Sequence, residues 1–336
     1  MTRPSIPDNL KHLLDKPLLD WLLAGDVSVQ YQVQRDLLAA GPAVLRSLRR
    51  RIPNEGFGKR FLDRRDPVSG RWPGWYGPKW ISIHYTLMDL MNIGFPGDHA
   101  AFREAAQEYV NGSWVKGGWL PKYKRWQDVC VAAMFLRMAC HAGLAGMEDA
   151  ASEVIDYLLE KKWEDGGWNC DTTNYPGKKV KKSSVHTTLT VLEALRDVTS
   201  FQNSEGKPLS HRRPACRKAM AGGAELLLKR RVYMKMKSDE PIRPSVTQMS
   251  FPCRWFFDFL RALDWFASVD HPSDPRLADA IALLKRKRRK DGTWPVQARH
   301  AGLVHFDMEK TGGPSRWNTL RALRVLKRYD SLACDG

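Results

Sequence analysis

The sequence predicts an all-helical protein, an (α/α)6 toroid in which helical hairpins close into a ring with an inner and an outer layer. Three observations lead to this prediction. Short glycine-containing turns recur along the chain and end in tryptophan, apolar residues follow helical spacing on both sides of each turn, and no segment shows strand alternation or a βαβ pattern. The sequence shows no domain boundary, so we expect one domain over residues 1–336.

The repeated turns are four segments with the sequences SGRW, KGGW, DGGW and DGTW, which end at Trp72, Trp119, Trp168 and Trp294. Successive tryptophans lie roughly fifty residues apart, except across one wider gap. A degenerate copy at residues 231–237 would fill that gap. Each turn therefore predicts a hairpin between two helices.

Amphipathic runs before the turns predict the outer helices, at Ala101–Val110, Ala151–Lys161, Arg217–Arg230 and Pro275–Arg288. The runs after the turns are apolar on more than one face and predict the inner helices. These inner runs are ISIHYTLMDLMNIG, DVCVAAMFLRMACHAG, SSVHTTLTVLEALRDV, CRWFFDFLRALDWFA and SRWNTLRALRVLKRY, and SVQYQVQRDLLAAG and PLLDWLLAG form a similar pair near the start. An open solenoid ends in a capping repeat with a polar outer face, and the last inner run does not have this character. We therefore expect a closed ring and not an open solenoid.

The charge balance favours acidic partners, since the formal net charge is +17 and the sequence pI is about 9.7. The basic clusters LRSLRRR, LKRR, LKRKRRK and LLEKK fall at the ends of outer helices, and GKKVKK precedes an inner helix. We expect them to form a positive rim that attracts a negatively charged ligand. With no signal peptide, no membrane span and six scattered cysteines, the sequence favours a cytoplasmic protein with reduced thiols.

The Gly-Gly-Trp turns between outer and inner helices resemble the repeat of squalene–hopene cyclases and protein prenyltransferase β-subunits, over a stretch from about Val27 to the end. The resemblance implies an α/α toroid of the terpenoid cyclase and prenyltransferase type. A squalene-type cyclase carries its acid on a DxDD motif, which this sequence lacks. The segments around Asp171 and around Asp307 and Glu309 do not match that motif.

In prenyltransferase β-subunits, zinc is bound by an Asp and a Cys in a DxC motif at one inner helix and by a His at the next. Asp128, Cys130 and His186 occupy similar places here. The resemblance therefore implies zinc at these three residues, which make a reasonable ligand set with an open position. It also implies a zinc-assisted transferase or cyclase-type reaction. A protein prenyltransferase needs a separate α-subunit, of which the sequence gives no sign.

When the inner runs are aligned on their leucines, His84, Cys130 and His186 fall at equivalent positions, so we expect them at one end of a central cavity. Asp128, Cys130, His186 and His84 are thus the candidate catalytic residues. The candidate ligand-binding residues at the same level are Arg254, Trp255, Arg316, Trp317 and Tyr85. The irregular segment before the last inner run adds possible acid/base groups at His300, His305, Asp307 and Glu309.

Packing explains several of these residues equally well. Cys130 is of a type that is often buried in cores, Asp128 can cap its helix, and His186 can satisfy a hydrogen bond inside its hairpin. We expect a small apolar or amphipathic, anionic ligand in the cavity. The alternatives are a non-catalytic toroid scaffold and a basic helical repeat protein that binds nucleic acid. Nucleic acid is the less favoured partner, because the sequence contains no recognition-helix motif.

Overall fold

The computed structural model describes residues 6–170, 182–201 and 209–333. Asp171 and residues 177–181 of the basic GKKVKK segment lie outside the described residues. Helices make up 56% of the chain and strands 4%, which confirms the all-helical class. Within the described ranges, no helix is both long and apolar enough to cross a membrane.

Contacts divide the chain into two compact units, and each has its own set of helices. The first unit comprises Met1–Pro96, Arg231–Arg254 and Asp258–Gly336, and the second comprises Gly97–Arg230 and Trp255–Phe257. The helices of the first unit are α1 (Lys16–Leu23), α2 (Val27–Asp36), α3 (Pro42–Arg51), α4 (Gly56–Leu62), α5 (Ile83–Asn92), α11 (Phe259–Ser268), α12 (Ala278–Arg286) and α13 (Arg316–Tyr329). Those of the second unit are α6 (Ala100–Ser113), α7 (Val129–His141), α8 (Glu148–Glu160), α9 (Val185–Ser200) and α10 (Arg213–Lys229).

Helices α5 to α10, α12 and α13 confirm that the runs on either side of the turns are helical, and the helices that follow the turns are the more completely buried. In α7, for example, all but two residues are buried, as expected for a helix covered on both sides. In the second unit α9 packs between α7 and α10, and in the first unit α13 packs against α2 and α11. A single closed ring over residues 1–336 stays a prediction of the repeat pattern.

One inner run differs from its prediction. The sequence CRWFFDFLRALDWFA predicts a helix from Cys253, but α11 begins only at Phe259. Asp258 ends the preceding turn, because its carboxylate accepts a hydrogen bond from the backbone N–H of Arg261 at 2.7 Å and caps the helix. The placement of Arg254 and Trp255 at a helix start is therefore wrong. They lie in the turn before it, where Arg254 has a left-handed φ of 50°.

Three of the four repeated tryptophans are buried and tie their turns to the preceding helix. Their indole nitrogens donate to backbone carbonyls ten or eleven residues earlier, in the pairs Trp72–Phe61, Trp168–Leu158 and Trp294–Leu284. Trp119 is the exception, since it is 41% exposed and packs edge-on against Trp126. The turn signature thus has the same physical role in both units, with one divergent copy.

Two of these turns are also fixed to the helix that follows. The backbone N–H of Trp168 donates to the Thr188 hydroxyl at 3.0 Å, and that of Trp294 donates to the Thr319 hydroxyl at 2.9 Å. Short strand pairs flank two turns, β1 (Trp119–Leu120) with β2 (Arg125–Trp126) and β3 (Trp294–Pro295) with β4 (Pro314–Ser315). The Trp168 and Trp294 turns are therefore each bonded to the first part of the helix that follows.

Candidate functional site

A cleft in the first unit combines aromatic walls with buried charged groups. Its walls include Phe61, Asp89, Phe251, Arg254, His305, Phe306 and Glu309. The space between the walls is about 500 Å³ when the part open to solvent is counted, and room for water-sized atoms amounts to about 30 Å³. That room is enough for about two waters or a small polar group.

The cleft contains a buried ion pair, Asp89 with Arg254, in which part of the hydrogen-bonding capacity is unused. Arg254 Nη2 lies 3.3 Å from Asp89 Oδ2, and the two side chains are only 5% and 4% exposed. Among the described residues, neither Asp89 Oδ1 nor Arg254 Nε has a hydrogen-bond partner. The Arg254 guanidinium also lies over the Trp80 ring, 4.6 Å from its centroid. A buried donor and a buried acceptor without partners are costly, and a bound molecule could satisfy both.

Asp89 can exchange a proton near neutral pH. Burial raises the pKa of its carboxyl to about 6, and the attraction of Arg254 only partly offsets this. Asp89 comes from the middle of α5, so rigid helix backbone holds it in place. A shifted pKa in a cleft is a frequent property of functional carboxyl groups.

His305 and Glu309 enter the cleft from the segment before α13. The His305 Nε2 lies 2.8 Å from the Thr86 hydroxyl, whose own proton points to the Ser82 carbonyl at 3.0 Å. Burial lowers the pKa of His305 to about 4, so the ring is neutral at physiological pH. His305 therefore offers the cleft a neutral polar edge and no charge.

Glu309 has a structural task that competes with an acid/base role. Its carboxylate accepts the backbone N–H of Arg316 at 2.6 Å and that of Trp317 at 3.3 Å, and also the Ser315 hydroxyl. It thus caps the start of α13, where helix amides favour negative charge. Burial raises the pKa of Glu309 to about 7, although these three donors favour its ionised form.

His84 and Tyr85 are completely buried in an aromatic cluster of the first unit. The His84 ring packs edge-on against Tyr76 and Tyr85, and the Tyr85 hydroxyl donates to the Tyr76 hydroxyl at 3.0 Å. Burial lowers the pKa of His84 to about 3. This geometry makes His84 a neutral core residue.

Arg316 and Trp317, the other predicted ligand-binding residues of the first unit, are both engaged inside the protein. Arg316 Nε donates to the Trp21 carbonyl at 2.9 Å, and its guanidinium lies 4.5 Å from the centroid of the Trp21 ring. Trp317 is 1% exposed and stacks on Phe251 with the ring centroids 4.7 Å apart. Their present contacts fix the start of α13.

The second unit contains the predicted zinc residues. Asp128 lies just before α7 and faces Arg125 at 3.3 Å, and Cys130 lies in the first turn of α7. His186 is the second residue of α9, and its Nδ1 accepts the backbone N–H of Phe257 at 2.9 Å. In the described ranges no three His, Cys, Asp or Glu side chains are close enough to hold a metal ion. Zinc at Asp128, Cys130 and His186 stays a prediction.

A second thiol lies beside Cys130. The Cys130 backbone N–H donates to Cys170 Sγ at 3.4 Å, and the Thr187 hydroxyl lies 3.5 Å from the same sulfur. The two thiols also share a hydrogen bond, which raises the pKa of Cys130 and lowers that of Cys170. His186 packs instead among aromatic rings, 5.6 Å from the Trp255 centroid. The structure thus places a thiol next to Cys130 that the sequence analysis did not select.

The basic helix ends are confirmed for α3, α10 and α12 but not for α8, whose last turn has no basic residue, and several of the charges are paired within the protein. Arg49, Arg50 and Arg51 occupy the last turn of α3, and Lys285 lies in the last turn of α12. Arg51 pairs with Glu55 at 2.5 Å, and Lys285 pairs with Asp330 at 2.8 Å. These clusters therefore stabilise helix ends as well as carrying positive charge.

Neither Asp89 nor Cys170 is among the site residues predicted from the sequence. A lone carboxyl inside the otherwise apolar run ISIHYTLMDLMNIG is a signal that could have identified Asp89, because an unpaired charge there is costly. Cys170 follows a tryptophan turn directly, and only the folded chain brings it to Cys130. No family model matches the chain, and a comparison with curated proteins found no match.

Proposed function

We propose that the chain binds a small amphipathic molecule in the cleft of the first unit, with its polar head between Asp89 and Arg254. The observation that carries this proposal is the buried ion pair that leaves Asp89 Oδ1 and Arg254 Nε without partners among the described residues. A head group that donates to the carboxylate and accepts from the guanidinium satisfies both atoms. Amides and alcohols have this pair of functions.

The walls of the cleft support an apolar body on the ligand. The rings of two wall residues, Phe61 and Phe306, have their centroids 4.7 Å apart. A third wall residue, Phe251, stacks on Trp317. Aromatic walls with a few placed polar groups are typical of small-molecule sites. If the protein is an enzyme of the terpenoid cyclase or prenyltransferase type, Asp89 is the residue we propose for proton transfer.

The charge of the head group is the point on which the cleft and the overall composition differ. The net charge of +17 favours an anionic ligand. The cleft walls contain Asp89, Asp307 and Glu309 against Arg254 and Arg299, which favours an uncharged head. We therefore propose an uncharged head and treat a carboxylate head as the second candidate.

A matched series of butanamide, 1-butanol and butanoate tests the proposal by NMR titration of the whole protein. We expect the amide and the alcohol to bind weakly and to shift resonances of residues around Asp89. Asp89→Asn should weaken amide binding by about tenfold, since a hydrogen bond to a charged group contributes about 1.5 kcal/mol or more. Binding that is equal in wild type and Asp89→Asn would contradict the proposal.

The pH dependence separates the two heads. An uncharged donor needs the ionised Asp89, so its affinity should fall as the pH drops through about 6. A carboxylate head has to share a proton with Asp89, so butanoate should bind more tightly over the same drop. Arg137→Lys, a change in the second unit, is the matched control and should leave both profiles unaltered.

The other expectations from the sequence make different predictions. Zinc at Asp128, Cys130 and His186 should appear as one equivalent in untagged protein and be lost in Cys130→Ala. A nucleic-acid-binding repeat protein should bind DNA or RNA with an affinity that falls steeply with salt. A non-catalytic scaffold should bind none of the butyl compounds.

A further inference from the structure

The thiol pair of the second unit has no part in the proposed ligand site. Cys130 and Cys170 are both partly exposed, whereas the other described cysteines, Cys140, Cys216 and Cys253, are buried. None of the five is in a disulfide. A pair of adjacent thiols on partly exposed residues is chemically different from single buried ones, because each thiol can react with the other's oxidation product.

The geometry allows the two sulfurs to meet. Cys170 Sγ lies 3.4 Å from the backbone nitrogen of Cys130, and that nitrogen is two bonds from the Cys130 Cβ. The two thiols also share a hydrogen bond, so the Cys130 and Cys170 sulfurs already lie next to each other. No movement of α7 as a whole is needed for the first contact.

The surroundings also make the two thiols unequal. Cys170 Sγ receives the backbone N–H of Cys130 at the start of α7, where the helix dipole favours negative charge. The hydroxyl of Thr187 lies 3.5 Å away and can donate to the same sulfur. Cys170 is thus the better nucleophile and reacts first, and Cys130 reacts in the second step.

We propose that Cys130 and Cys170 form a reversible disulfide by exchange with a small-molecule disulfide. In the first step the Cys170 thiolate attacks one sulfur of that molecule, whose S–S bond breaks. A mixed disulfide forms on Cys170, and one small thiolate leaves and takes up the proton that Cys170 lost.

In the second step Cys130 gives its proton to solvent and attacks the Cys170 sulfur. The second small thiolate leaves and takes up a proton. Two cysteine thiols and one small disulfide are thereby converted into one protein disulfide and two small thiols, with two electrons passing to the small molecule. The new bond joins the segment after the Trp168 turn to the first turn of α7.

The test uses oxidised glutathione on the full chain, followed by alkylation, trypsin and mass spectrometry. Trypsin places Cys130 and Cys170 in separate peptides, residues 126–137 and 163–178. We expect a linked pair of these two peptides and a protein mass lower by two hydrogen atoms. Dithiothreitol should reverse both changes, and the oxidised protein should melt at a higher temperature.

Two single variants test the order of attack. Cys130→Ser should stop after the first step and keep one glutathione on Cys170, while Cys170→Ser should react far more slowly. Cys216→Ser is the matched control and should still form the linked peptides. The proposal is overturned if glutathione stays on wild-type Cys170 without linkage, or if buried cysteines react as fast as this pair. Circular dichroism melts confirm that each variant is folded.

Discussion

Two buried arginines, one in each unit, face carboxylates in very different ways. In the second unit Arg137 Nη1 donates to Glu193 at 2.7 Å, and Arg137 Nε donates to Asp197 at 3.0 Å. In the first unit Arg254 makes one long contact of 3.3 Å with Asp89. The first arrangement satisfies its charges internally, as a structural network does. The second leaves a donor and an acceptor for another molecule, and this contrast is the basis of the proposed function.

The largest loss of stability is expected when the ion-pair network of Arg137, Glu193 and Asp197 is broken. Arg137→Leu leaves Glu193 and Asp197 without their buried partner between α7 and α9. We expect a loss of about 3–5 kcal/mol in the free energy of unfolding, measured by urea denaturation. A loss below about 1 kcal/mol would show that the network is not the structural element we describe.

The next effect is the pH dependence of stability at Asp89. Burial raises the pKa of Asp89 in the folded protein to about 6, well above the ordinary value of an aspartate, so the native state binds this proton more tightly than the unfolded chain. The resulting stability is complete below about pH 4 and is lost as the pH rises through 6. The difference in the free energy of unfolding between Asp89→Asn and wild type should therefore shift in favour of the variant by on the order of 3 kcal/mol from pH 4 to pH 7.

Asp36, a partly buried aspartate with the opposite shift in pKa, is the control for that experiment. Burial opposes ionisation of Asp36, but Arg324 and Arg35 lower its pKa below the ordinary value. Its stabilising contribution is present at neutral pH and is lost as the pH falls. Asp36→Asn should therefore lose stability relative to wild type at neutral pH, and a change of the same sign as Asp89→Asn would refute the assignment.

A smaller loss is expected from Arg254→Leu. The variant leaves Asp89 buried, but this carboxyl already titrates near neutral pH and can become protonated. We expect a loss of about 2 kcal/mol at pH 7 and less at pH 5. If Arg254→Leu were as destabilising as Arg137→Leu at both pH values, the two arginines would have the same structural role.

The smallest loss of stability is expected at Arg196, which lies beside the ion pairs of Arg137 with Glu193 and Asp197. Arg196 pairs with Asp197 at 2.7 Å but is 23% exposed. Arg196→Leu should cost less than about 1 kcal/mol, since a partly hydrated ion pair contributes little. Comparison with Arg137→Leu in the same urea experiment shows whether burial, and not the shared Asp197, decides the larger loss.

Local pattern was sufficient to predict much of this fold. The helical spacing of apolar residues and the repeated turns located most helices, because both signals depend on neighbouring residues. The start of α11 was misplaced because the cap at Asp258 outweighs the apolar residues before it. The exposed Trp119 shows that a turn motif does not by itself fix the burial of its tryptophan.

The candidate site was less predictable because it depends on contacts between distant segments. Arg254 was selected as a ligand-binding residue, but its partner Asp89 is 165 residues away in the sequence. Cys130 was selected as a zinc ligand, yet the neighbour beside it is Cys170, 40 residues later. Residue types and helix starts indicated where polar groups would be, and only the fold shows which of them meet.

The most direct test of the central claim is the NMR signal of the arginine Nε–H groups during a titration with butanamide. If the Asp89–Arg254 ion pair is the ligand site, the Arg254 Nε–H resonance should shift and saturate as the amide binds, while that of Arg137 should stay in place. It also predicts that the Arg254 shift disappears in Asp89→Asn. An Arg254 resonance that does not move at amide concentrations saturating any other site would contradict the claim that this ion pair is the ligand site.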